Sequence, residues 1–128
     1  VNSAGTTTAF YNGKITVQEG PDPNLDKIGW YRENSGKETH PVGQKQPNAW
    51  GLYDMSGNVF EWVYDKHADY SNQSLTDPVN LIGSFRIRRG CCWNYNARYC
   101  RAAYRGSVDT SYRDNLLGFR LVRSLSGN

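Results

Sequence analysis

Three cysteines, Cys91, Cys92 and Cys100, are the side chains of this 128-residue sequence best suited to redox or soft-metal chemistry. A pair of thiolates can hold Cu(I), and an oxidised pair closes a disulfide. A second candidate set is the carboxylate pair Asp54 and Glu61, separated by the tight turn Ser56-Gly57. Calcium takes about six to eight oxygen ligands from carboxylates and carbonyls. Such a turn can bring both carboxylates round one ion, with the backbone carbonyls of Gly57 and Val59 filling further positions. The same residues also have a plainer reading, in which Asp54 caps the turn and Glu61 pairs with an arginine. The two histidines, His40 and His67, belong to no ligand or nucleophile pattern. No nucleophile elbow, phosphate-binding loop or zinc spacing accompanies them.

The elements that must position these groups are short. Asn58 to Trp62 alternates in the manner of a strand, and so does Ser84 to Gly90. Tyr99 to Arg105 and Leu117 to Val122 read as two further strands, with residues 106–115 as the loop between them. Residues 21–27 read as a loop and 64–82 as a polar surface excursion. Thirteen glycines and five prolines imply many turns. A mean hydropathy of −0.74 leaves an economical core, so the 4 Trp, 9 Tyr and 4 Phe must carry much of it. The pattern implies an α+β domain of ordinary size, with no repeat and no low-complexity tract.

The formal charge is +3. Arginines concentrate in the last third, from Arg86 to Arg123, but they sit inside strand-like patterns and carry no nucleic-acid motif. No nucleic-acid partner is expected, and no apolar run reaches the length of a membrane span. The opening Val1 and the lone Met55 suggest a processed chain or a segment of a longer one.

Three blocks in order resemble one family. Gly51-Leu52-Tyr53-Asp54-Met55-Ser56-Gly57-Asn58-Val59-Phe60-Glu61-Trp62 is similar to the GLYDMxGNVWEW block of formylglycine-generating enzymes, the sulfatase-modifying-factor family. Arg88-Arg89-Gly90-Cys91-Cys92-Trp93, then Ala97 to Arg105, resembles its RGGSW turn and ARxCRxAYR segment. Asn115 to Arg123 resembles its closing GFRLVR. The resemblance spans roughly residues 38–125. It implies the C-terminal part of such a domain, covering 1–128 here: a C-type-lectin-like fold with a small twisted antiparallel sheet, long ordered loops and little regular structure. The N-terminal half would be absent or supplied elsewhere, so a protein partner or a complementary N-terminal chain is expected.

The resemblance also implies site residues. Calcium would lie on Asp54, Gly57, Val59 and Glu61. The family's catalytic copper is held by two cysteines, and here Tyr95 falls at the first position and Cys100 at the second. Cys100 is thus the one candidate copper ligand, and copper is not expected. Cys92 and Cys100, at a C-x7-C spacing, are expected to form a disulfide and place the chain in a secreted or periplasmic setting. Cys91 then replaces a glycine that the turn needs for positive φ. The implied function is a non-catalytic, calcium-stabilised binding or assembly module, with Trp93, Tyr95, Asn96 and Tyr99 as the contact surface. The alternatives are a copper- and oxygen-dependent oxidase completed by further sequence, and a carbohydrate-binding module.

Overall fold

A computed structural model describes residues 4–67 and 82–123. Regular structure is sparse, as the glycine and proline content requires. One helical turn, α1 (Leu25–Ile28), precedes strands β1 (Phe60–Lys66), β2 (Phe85–Arg89), β3 (Gly106–Asp109) and β4 (Leu117–Gly118), with a 3-10 turn at Ala97–Tyr99. The sheet order is β3-β2-β1-β4. β2 runs antiparallel to both β1 and β3, with Trp62 opposite Arg88 and Ile87 opposite Ser107. β4 runs parallel to β1, Phe60 facing Leu117.

The sheet is therefore mixed rather than wholly antiparallel. The long connection after β3 carries the chain back to the same end of β1 before β4 begins. Other expectations change as well: α1 begins inside the expected 21–27 loop, and β4 takes up only the first two residues of the strand expected from Leu117 to Val122. The stretch 99–105 is no strand: the Cys100 amide donates to Ala97 and the Tyr104 amide to Arg101, which coils the backbone. The strand lies one step later, at 106–109, where a loop was expected. Of the surface excursion expected over 64–82, residues 64–66 belong to β1, and 68–81 lie outside the described residues.

One apolar cluster unites the early loops with the sheet. Phe10, Leu25, Ile28, Tyr31, Phe60, Cys91, Cys92, Ala97 and Cys100 are all buried in it. The N-terminal loops reach it through a buried carboxylate. Asp22 accepts N–H groups from Thr16 and Val17 and the Thr16 hydroxyl on Oδ2, and from Asn24 and Leu25 on Oδ1. The last two cap α1. The Asp22 amide in turn donates to the Tyr31 hydroxyl, which donates to Asp26. Burial alone would raise the Asp22 pKa, but the amides of Leu25, Val17 and Thr16 outweigh it and hold the carboxyl below 3.8.

Two glycines set how closely the loops cross. A Cβ on Gly29 would collide with the Ser56 carbonyl, and one on Gly57 with the Trp30 backbone; Gly57 also has φ of +100°. The crossing is stitched by bonds from the Gly57 amide to Gly90 O (2.5 Å) and from the Asn58 amide to Trp30 O (2.7 Å).

Gly57→Ala should cost about 4 kcal/mol, because backbone rather than a movable side chain fills the space; denaturant unfolding measures it. Asp22→Asn should cost about 2 kcal/mol at neutral pH through lost charge-assisted bonds. A carboxyl whose folded pKa is depressed stabilises above its unfolded pKa, and that stability fades as pH falls through the folded value. The gap between Asp22→Asn and the parent should therefore narrow below about pH 4, read by the same unfolding series.

Candidate functional site

The positions named for calcium converge. Asp54, Gly57, Val59 and Glu61 line one cavity of about 430 Å³ beside Val42, Tyr53 and Arg120. The local backbone brings Asp54 inward: it is buried, and its φ is +56°. Its Oδ2 accepts the Gly43 amide at 2.8 Å. Its Oδ1 is buried with no hydrogen-bond partner. Glu61 lies at the start of β1, half-buried, and Arg120 grips both of its oxygens at 2.7 to 3.2 Å. Arg120 also donates to Tyr53 O. Glu61 holds the Arg120 guanidinium more firmly protonated.

The donor types suit a hard cation: two carboxylates, one with an orphaned buried oxygen, and two backbone positions on the same cavity wall. The charge now facing Glu61 is Arg120, so a cation and this arginine would compete for one carboxylate. Of the two plain roles weighed for these residues, the Glu61 ion pair is present, while Asp54 accepts from the distant Gly43 amide rather than capping its own turn. Among the described residues no group of three or more His, Cys, Asp and Glu side chains gathers. An arginine partner for Glu61 was among the sequence readings, but which arginine was not legible, because Arg120 lies 59 residues from Glu61.

The cysteines pair differently from the expected Cys92–Cys100 bridge. Cys91 and Cys100 are bonded, with Cα atoms 4.7 Å apart, and Cys92 is free and buried. The reason is the turn. Gly90 and Cys91 both take positive φ, +89° and +69°. This left-handed kink swings Cys91 towards the end of the 3-10 turn, where Cys100 sits. Cys92, the next residue, then faces the core. Burial pushes the Cys92 thiol up to about 11, against smaller opposing effects of the Asn94 amide and the Arg88 charge. The demand for positive φ at 91 was legible; which cysteine would bridge was not. With Cys100 oxidised, its sulfur offers no thiolate for copper. Tyr95, at the other ligand position, packs edge-on against Phe60 at 5.2 Å.

The four expected contact residues are mostly engaged. Trp93 donates its indole N–H to Asn115 O, and Asn96 accepts from Arg32. Tyr95 and Tyr99 meet edge-on at 5.4 Å, and Tyr99 meets Tyr104 likewise. They form a half-buried aromatic ladder against the core. Tyr99 also lines a smaller cavity with Ile15, Arg98, Arg101 and Tyr104. The sequence reading missed this cleft, because its walls come from two segments far apart in sequence, Ile15 and Gln18 on one side and Arg98 to Tyr104 on the other.

A loop-dominated fold with a small curled sheet and this cavity block defines the formylglycine-generating type. The chain belongs to the sulfatase-modifying factor enzyme 1-like domain family, whose profile matches residues 3–125. It is 30% identical to the chaperone protein LppX of Paenibacillus barcinonensis over 79% of this chain and 39% of that one. It is 33% identical to the formylglycine-generating enzyme of Streptomyces coelicolor over 84% of this chain and 35% of that enzyme. Among solved structures, Treponema denticola variable protein 1 superposes with a TM-score of 0.82 at 34% identity, over 92% of this chain and 41% of that one. The chain thus spans well under half the length of these three relatives.

Iodoacetamide should leave Cys92 unmodified in the native, unreduced protein at neutral pH, since its thiol is buried and its pKa raised. Denaturation without reductant should expose one alkylatable thiol, and denaturation with reductant three, counted by intact mass.

Proposed function

We propose that this chain is a non-catalytic, calcium-stabilised binding or assembly module. The observation that supports it best is the state of the thiols: one pair is closed as a disulfide and the remaining cysteine is buried in the core. No accessible thiolate pair is left to hold the copper ion that the family resemblance implies for an oxidase. A disulfide also favours an oxidising setting, secreted or periplasmic.

Calcium would be held by Asp54 and Glu61 with the carbonyls of Gly57 and Val59. It would neutralise the buried Asp54 oxygen and tie the 51–61 block to β1. Arg120 would have to yield its place on Glu61, which makes it a competitor built into the site. A polypeptide partner is supported by the sheet edge. Among the described residues β4 pairs on one side only, and Phe119, Leu121 and Val122 beyond it are strongly exposed, at 74%, 87% and 89%. An edge strand with apolar side chains is a site for strand addition, suited to a complementary chain.

Calcium at about a hundredfold excess over Kd should stabilise the fold by about 2.7 kcal/mol, seen as a rise in Tm reversed by chelator. Asp54→Asn should weaken this response and Arg120→Gln should strengthen it. No calcium response in the parent or in Arg120→Gln would remove the calcium part of the reading. A copper ion retained stoichiometrically by the reduced protein would favour the oxidase instead.

A further inference from the structure

A second cleft lies away from the calcium-type cavity, between residues 15–18 and the segment 98–104. Its volume is about 290 Å³, and its walls are Ile15, Gln18, Arg98, Tyr99, Arg101 and Tyr104. The two arginines differ in what they have left to offer. Arg98 is spent internally: it pairs with Glu19 at 3.2 Å, donates to the Tyr99 hydroxyl at 2.7 Å and lies 4.6 Å over the Tyr99 ring. Arg101 is anchored by one bond only, from Nε to the Arg98 carbonyl at 2.8 Å. Among the described residues its two terminal nitrogens have no partner. That bond restrains the guanidinium at Nε and leaves the outer edge of its fork open.

The rest of the lining sets the rings of Tyr99 and Tyr104 and the Ile15 side chain beside two polar residues, Gln18 and Arg98. Tyr99 and Tyr104 stand edge to face at 5.4 Å, and both pack on the core together with Ile15. The disulfide at Cys100 pins the backbone between the two arginines. A positioned fork beside aromatic faces matches a planar anion carried on a flat body. The fork donates two parallel N–H bonds to a carboxylate, and the rings receive the remainder.

We propose that this cleft binds a carboxylate borne on an aromatic body, with Arg101 taking the charge and Tyr99, Tyr104 and Ile15 taking the ring. This deepens the reading of the chain as a binding module, and it rests on that reading. The same chemistry could be presented by a free aromatic acid or by the C-terminal carboxylate of a peptide ending in an aromatic residue.

The test is a titration of the calcium-supplemented protein, followed by amide and arginine Nε–H NMR shifts. The probes are benzoate and acetyl-Gly-Phe with a free C-terminus; acetate, benzyl alcohol, inorganic phosphate and acetyl-Gly-Phe amide are the controls. Saturable shifts confined to residues 15–18 and 98–104, with either acid, are expected, and the tighter of the two acids identifies the source. Arg101→Lys keeps the charge and loses the fork; it should weaken binding by about tenfold, the scale of one lost charge-assisted bond. Arg101 is exposed, so the variant should retain the parent near-UV spectrum. The proposal falls if neither acid gives saturable shifts there, if benzyl alcohol or phosphate matches benzoate, or if Arg101→Lys binds as the parent does. A calcium-induced rise in Tm that persists while both acids fail would overturn the cleft alone and leave the wider reading standing.

Discussion

The structure depends on one close crossing. Gly29 and Gly57 let the chain segments around 28–31 and 54–60 touch backbone to backbone, and the 90–93 turn closes over them. The Gly57 amide reaches Gly90, the Asn58 amide reaches Trp30, and the Trp93 amide reaches Asn58. The Asn58 side chain then pairs with both backbone groups of His40 at 3.0 Å each. Four loops are thus tied at a point where no side chain would fit. In a chain with so few regular hydrogen-bond ladders, such loop-to-loop bonds satisfy backbone groups that helices and strands would otherwise serve.

Both cavities derive from this crossing. On one side the left-handed turn at Asp54 directs a carboxylate inward, and β1 begins just after it, presenting Glu61. On the other side the left-handed turn at Gly90 and Cys91 delivers a sulfur to Cys100 and so fixes the 97–104 segment. The aromatic ladder of Phe60, Tyr95, Tyr99 and Tyr104 runs between them. Trp30 is sandwiched nearby, stacked on His40 at 3.8 Å with the Lys45 ammonium 3.9 Å from its ring. Aromatic faces and cations thus take over much of the packing that aliphatic residues supply elsewhere.

The charge distribution follows the same economy. Asp22 is buried yet ionised, because five donors from the loops it organises surround it. Arg88 lies 4.2 Å over the Phe60 ring, while Arg120 is consumed by Glu61. Many arginines of the last third are absorbed by rings, carbonyls and carboxylates, whereas the terminal nitrogens of Arg101 are uncommitted among the described residues.

Much was legible in the residues alone. The blocks around Asp54–Glu61, Gly90–Trp93 and Leu117–Val122 carried the family. Alternation located β1 and β2, since a period of two records burial on one face. The positive φ at position 91 could be read from a cysteine standing where a glycine belongs. Other features had no local signal. Asp22 looked like one more loop aspartate, because its donors are assembled by folding. The parallel sense of β4, the choice of Cys91 over Cys92, the Arg120–Glu61 pair and the Arg101 cleft all join positions distant in sequence. Local chemistry determined which turns and strands this chain can form. Only the tertiary crossing decided which sulfur, carboxylate and guanidinium meet, because a left-handed residue or a missing Cβ redirects everything that follows it.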